Sequence, residues 1–178
     1  MHGIIFKSLK DYVVANRDHE TWDAVRREAG LHQRVYLPID TYDDDELFEL
    51  VAAVADLTGA PIPDLLEGYG RFATAQLLDT YGNVVDDDWD ALDLVANTEE
   101  QIHTVLRMRS ADLNPPELDC RRDGDDRVTV TYRSERQLCS VARGIVHGVA
   151  DHYDEPLSVS ETECVHAGGD HCEIVVER

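Results

Sequence analysis

The chain predicts an α+β fold, with a helical N-terminal part packed on a C-terminal antiparallel sheet that one helix crosses. Three observations point there. Apolar residues recur at helical spacing through about the first hundred positions. Pro115-Pro116 then closes off any helix, and the remainder reads as two hairpins, turning at Asp123-Gly124 and Gly168-Gly169, with an amphipathic helix between them. The 178 residues suit a single domain, 1–178, with a helical part to about 112 and a sheet-containing part from about 113.

Taken in order, Ile4, Ile5, Leu9, Tyr12 and Val13 form the apolar face of a first helix. After a break at Arg17-Asp18-His19, a second helix carries Trp22 and Val25 and stops at Gly30. In YLPIDTYDDDELFELVAAVADLTG, Thr41 or Asp43 can cap a third helix, acidic residues fill its first turn against the helix dipole, and Gly59 ends it. Pro63 and Gly82 bracket a fourth, in which Gly68 and Gly70 each cost about 1 kcal/mol relative to alanine. They predict close approach by a backbone or a flat ligand. Asp86–Asn97 reads as helical or partly helical, and Thr98–Met108 as a separate helix capped by Thr98. Beyond the prolines, Thr129–Cys139 reads as one strand, and the crossing helix lines up Leu138, Val141, Ile145 and Val149.

Composition excludes several functions. A formal charge of −21 repels nucleic acid and anionic membrane, so neither is an expected partner. The acidic excess, with Lys7 and Lys10 the only lysines, is halophile-like and suits a cytoplasm of high salt. No stretch approaches the roughly 20 apolar residues of a membrane span, and Met1–Phe6 runs into a helix without a signal-peptide profile, so a cytoplasmic location is expected. Cys120, Cys139, Cys164 and Cys172 are then expected as thiols or metal ligands rather than disulfides. Asp43-Asp44-Asp45 and Asp86-Asp87-Asp88 fall at expected helix starts, where capping accounts for them. With no nucleophile–base arrangement and no phosphate loop, no enzyme is expected.

Two features ask for a ligand. Tyr132, Ser134 and Arg136 alternate, so an extended chain puts a phenol, a hydroxyl and a guanidinium on one face. That face suits a carboxylate or phosphate, or is the wet side of a half-exposed strand. His103 lies among Ile102, Val105, Leu106 and Met108, with Glu99 and Arg107 four residues away on either side. By position it is a structural histidine or an iron or other metal ligand. His147 has a similar setting, whereas His2, His19 and His32 near helix ends and His152 near a turn are expected to be exposed.

His103 in IHTVLR, Pro115 in NPP and Tyr132, Ser134 and Arg136 in YRSER together resemble the haem nitric oxide/oxygen binding (H-NOX, HNOB) family, the gas-sensing domain of bacterial sensors and soluble guanylate cyclases. MHGIIFKSLKDYV, TWDAV and YGRF extend the resemblance over essentially the whole chain. It implies the H-NOX fold, with one b-type haem (haem b) between the two parts. His103 matches the iron ligand, and Tyr132, Ser134 and Arg136 match the clamp on the haem propionates. Pro115 matches a proline that presses on the porphyrin. Ile4, Ile5 and Leu9 would lie on the distal side, where Gly70 would let backbone approach the porphyrin.

The resemblance carries two finer expectations. Some relatives hold a structural zinc on three cysteines and a histidine. Cys139, Cys164 and Cys172 match, but Glu161 stands where the histidine is expected, with His166 and His171 as alternatives. Free thiols and a Cys164–Cys172 disulfide remain open readings. In relatives that hold O2, a tyrosine five residues after the clamp arginine donates a hydrogen bond to it; here that position is Val141. NO and CO are therefore the expected ligands, without stable O2 binding, although Tyr12, Tyr69 and Tyr81 could approach from elsewhere. A domain without catalytic residues implies a separate signalling protein, such as a histidine kinase or a cyclic-dinucleotide enzyme. The alternative is a haem redox or haem-trafficking protein, or an enzyme with an unrecognised site.

Overall fold

Helix boundaries follow from local chemistry in this computed structural model, which describes residues 1–109 and 113–178. Helix α1 spans Gly3–Asn16, and α2, His19–Glu28, begins where the Asp18 carboxylate accepts from the Thr21 N–H at 2.7 Å. Helix α3, Asp44–Thr58, is capped by Asp43 and stopped by Gly59 at φ +70°. Helix α4, Ile62–Tyr81, carries Pro63 in its first turn, where the missing N–H costs nothing. Helix α5, Ala91–Asn97, starts on a capping box between Asp90 and Asp93.

Three local expectations change here. Asp86 lies in a turn and accepts from the Asp88 N–H at 3.0 Å, so the helix start belongs to Asp90 and not to the acidic triplet. Thr98 is no cap: it has helical backbone angles and its hydroxyl donates to the Leu94 carbonyl at 2.7 Å. The helix instead passes through a π-helical turn, Thr98–His103, into α6, Thr104–Arg109. The boundary expected near 112 falls on residues 110–112, outside the described residues.

Strands β1, Glu117–Arg122, and β2, Arg127–Arg133, form the first hairpin. Helix α7, Cys139–Tyr153, follows, then β3, Ser158–Glu163, and β4, Cys172–Glu177. The sheet order is β1-β2-β4-β3 with every pair antiparallel, and Tyr132 pairs with both Leu118 and Cys172. The run Thr129–Cys139 is not one strand. The Ser134 Oγ accepts from the Arg136 N–H at 3.2 Å and the Ser134 carbonyl accepts from the Gln137 N–H at 3.1 Å, which turns the chain.

Two cores result. One, around Phe6, Leu9, Trp22, Leu50 and Tyr69, binds α1–α4 together; the other, around Leu92, Leu94, Val130, Val149 and Ile174, lies between α5, α7 and the sheet. They are joined where α4 crosses α7. A Cβ on Gly70 would overlap the Val141 carbonyl oxygen, one on Gly144 the Glu67 carbonyl oxygen, and one on Gly148 the Thr74 side chain. Backbones meet there because no side chain separates them. Among the described residues no helix is long and apolar enough to cross a membrane.

Candidate functional site

A cavity of about 310 Å³ lies between the two cores. Its lining is mostly aliphatic, and His103, Pro115, Pro116, Tyr132, Ser134 and Arg136 all contribute to it.

His103 closes the π-helical turn. Its Nδ1 is 3.1 Å from Glu99 Oε2, an oxygen that also accepts from the Leu118 N–H at 3.1 Å. Arg107 donates to Glu99 Oε1 at 2.6 Å and to the Pro116 carbonyl at 3.1 Å. Burial opposes charge on Glu99, but Arg107, His103 and the Leu118 N–H outweigh it and hold the carboxyl below its usual range. An ionised carboxylate only accepts, so Nδ1 carries the ring proton. Burial pushes His103 below its ordinary value of 6.5, against the pull of Glu99 and of the Pro116 backbone. With the proton on Nδ1, Nε2 is the ring nitrogen suited to a metal, and the ring lines the cavity.

Arg136 donates through Nε to Asp44 at 2.5 Å and through Nη1 to the Asn114 carbonyl at 2.6 Å. These contacts use two of its five N–H donors. Asp44 also pairs with the Met1 ammonium at 2.8 Å, so α1, α3 and the turn after β2 meet at one carboxylate. The Tyr132 hydroxyl accepts from the Leu138 N–H at 3.2 Å, and burial raises its pKa. The three residues reach one cavity even though Ser134 and Arg136 sit beyond the strand.

Ile4, Ile5 and Val141 form part of the cavity wall. Leu9 and Gly70 do not line it: Leu9 is fully buried in the helical core, and Gly70 admits α7 rather than a ligand. Hydroxyls near this wall are engaged. Tyr69 donates to the Ile5 carbonyl at 2.9 Å, Thr74 is within hydrogen-bonding reach of the Gly70 and Ile145 carbonyls, and Tyr81 lies 3.5 Å from His2 Nδ1. Tyr12 packs against Tyr69 and Phe72 outside the lining. His2, expected to be exposed, lines the cavity because the chain start is tied down by Asp40 and Tyr42.

The cysteines form a second group. The sulfurs of Cys139, Cys164 and Cys172 and a Glu161 oxygen lie within 4.8 Å of one another. The sulfurs of Cys164 and Cys172 are 3.8 Å apart rather than bonded. His166 is held by the Gln137 carbonyl at 2.9 Å and His171 lies 3.8 Å from Glu163, so of the three possible fourth ligands Glu161 is the one that joins the cysteines. A bulge in the β3–β4 pairing at Glu161–Glu163 aims it there. Its Oε2 accepts from Arg143 at 2.7 Å, while Oε1 is buried without a partner among the described residues. Three thiols and a carboxylate are donors that suit zinc. Cys120 lies apart, its thiol pushed up to about 12 by burial.

The residues also fit a haem. An imidazole, a guanidinium and two hydroxyls line one apolar cavity, a donor set that suits an amphiphilic, iron-bearing ligand with carboxylates. Position alone did not mark Glu99 or Asp44 as part of this site. Glu99 had a signal, its spacing of four from His103; Asp44 meets Arg136 across the tertiary fold and had none.

Known proteins agree with this geometry. An H-NOX protein from Shewanella oneidensis, solved in an Fe(II)NO ligation state, is 30% identical over 99% of this chain and 98% of that one, with a TM-score of 0.92. The H-NOX domain from the same organism in an Fe(II)CO state superposes with a TM-score of 0.88, at 30% identity and over the same shares of the two chains. The soluble guanylate cyclase gcy-31 of Caenorhabditis elegans is 24% identical over 157 residues, which is 84% of this chain and 20% of that protein. The chain thus spans about a fifth of the length of the curated relatives it matches. The sequence profile described as Haem-NO-binding (HNOB) matches residues 2–161, and the chain belongs to that family.

Proposed function

We propose that the chain binds one b-type haem between its helical part, to about 112, and its sheet-containing part, from about 113, and senses nitric oxide there, with carbon monoxide as a second ligand. The observation that carries this reading is the placing of His103 and of Tyr132, Ser134 and Arg136 on one apolar cavity in a member of this family. Family membership makes it a sensor module rather than an enzyme.

When bound, the haem supplies a ferrous iron that takes a diatomic gas. His103 would hold the iron through Nε2, with Glu99 fixing the ring, and Arg136, Tyr132 and Ser134 would hold the propionates. Pro115 lies against the same cavity and would offer the porphyrin a rigid ring that makes no competing bond. Ile4, Ile5 and Val141 exclude water and offer no donor, which favours NO and CO over O2, since O2 depends more on such a donor. The turn Thr98–His103 and the Pro115 segment share the cavity with α1, so a change in what His103 holds there would be felt at the outer surface. A separate signalling protein, such as a histidine kinase or a cyclic-dinucleotide enzyme, reads that change in the cytoplasm.

Cys139, Cys164, Cys172 and Glu161 hold a structural zinc that pins the last hairpin to the start of α7. The test is an absorption spectrum of the reduced protein before and after NO and after air, together with elemental analysis. NO should shift the spectrum, air should leave no long-lived oxygenated form, and one zinc should accompany each chain. A stable spectrum in air would overturn the gas selectivity, and iron without a second metal would overturn the zinc.

A further inference from the structure

We infer that Glu99 sets the strength of the bond between His103 and iron, and so the gas exposure at which His103 releases; this rests on the haem reading above. Glu99 is held from every side. Its backbone carbonyl accepts from the Thr104 N–H, closing the π-helical turn, and from the Thr104 hydroxyl at 3.1 Å. Its carboxylate receives Arg107 on Oε1 and both His103 Nδ1 and the Leu118 N–H on Oε2. The side chain is about a quarter exposed and that of His103 is 13% exposed, so water competes little for these bonds.

A carboxylate accepting from Nδ1–H shifts electron density onto the ring and makes Nε2 a stronger donor to a metal. Arg107 and Leu118 draw on the same carboxylate and temper that effect. Glu99 and Arg107 therefore act on His103 in opposite directions. Neither touches the cavity contents, so both are positioning residues: they set the tautomer, aim the ring and tune its basicity. The link also ties the iron ligand to strand β1 through Leu118 and to the proline segment through Arg107 and Pro116.

The experiment uses the haem-loaded chain and reads the iron–histidine stretching vibration by resonance Raman, with the midpoint potential by spectroelectrochemistry. Glu99→Gln keeps the shape and removes the charge. It should lower the stretching frequency and favour the ferrous form roughly tenfold, about +59 mV for one electron, and it should need less NO to release His103. Arg107→Met keeps the stem and removes the competing charge, and should shift frequency and potential the other way. A purely structural role would move both variants together. If Glu99→Gln fails to hold haem, Arg107→Met decides alone. His103→Gly separates the two claims: loss of the band in that variant with no shift in Glu99→Gln or Arg107→Met overturns the role of Glu99, whereas a band that survives His103→Gly overturns the haem reading itself.

Discussion

Under the proposed reading the choice of ligand turns on single side chains, Val141 first among them. It carries an isopropyl group on the cavity wall at the start of α7, and nearby hydroxyls are committed to carbonyls or to His2. Val141→Tyr adds a phenol at that wall. A hydrogen bond to a partly charged ligand contributes about 1.5 kcal/mol, roughly tenfold, so the variant should hold O2 at least tenfold longer when reduced protein is mixed with air in a stopped flow. Asp44 offers a test by acidity. Burial works against its charge, but the Met1 ammonium and Arg136 prevail and leave its pKa below the ordinary 3.8. A depressed carboxyl contributes stability above the unfolded pKa and loses it as pH falls through the folded one. Urea unfolding at a series of pH values should therefore show Asp44→Asn less stable than wild type by about 1 kcal/mol from pH 7 to 5, with the gap closing below about pH 3. His103, Arg136 and the cysteines were legible at this scale because each is a chemical type at a telling spacing. The partnership of Asp44 with Arg136 was not, since helix capping already explained an acidic residue at that position.

Among the elements, α4 and α7 show what pattern conveys and what it omits. Their apolar stripes and end signals gave both helices almost to the residue, yet for Gly68 and Gly70 the sequence left open whether a backbone or a flat ligand comes close. The answer is contact between backbones: Gly144 has no room for a methyl group against the Glu67 carbonyl. Gly144→Ala should cost about 1–3 kcal/mol through overpacking, visible as a Tm lower by several degrees. Gly82→Ala is the control, for Gly82 has open space around it and φ −58°, and should be neutral or slightly stabilising. The π-helical turn was also beyond reading. Its residues are ordinary helix formers, and only the packing of Glu99 against β1 and Arg107 reveals why the helix takes an extra residue just before its histidine. The end of β2 was missed for a simpler reason: alternation continued past Arg133, and the Ser134 turn that ends the strand hides inside it.

For the molecule as a whole, charge is the dominant feature. Arg34–Glu46, Arg71–Asp151 and Arg178–Asp90 pair some of it, but the excess of acidic groups leaves net self-repulsion at −21. Salt shortens the reach of that repulsion from about 30 Å at 0.01 M to about 3 Å at 1 M. Tm should therefore rise with sodium chloride across that range in a thermal melt, despite the weakening of surface ion pairs. A Tm that fell would mean that the pairs outweigh the excess. Fold class was readable at this scale because two periodicities and a pair of prolines divide the chain. The location of the site came only through the family resemblance, since a cavity between two cores belongs to neither sequence half.

The glycine-lined crossing of α4 on α7 also decides which pieces can travel. Two helices whose backbones touch, pinned further by Arg71 to Asp151 and by Arg143 to Glu67, behave as one beam. Helix α4 is thus welded to the sheet-bearing half although it comes from the helical stretch of sequence. The more compliant joint lies on its other side, where α1 meets it through side chains: Tyr69 donates to the Ile5 carbonyl, and Gln76 accepts from Ser8 and donates to Asp11. Amide hydrogen exchange should show α4 and α7 protected as one slow cooperative block, with α1 to α3 opening as another. Shared opening of α4 with α1 instead would place the joint at the crossing. Any displacement started at His103 must then cross the cavity to α1, with α4 as the fixed jaw against which it works.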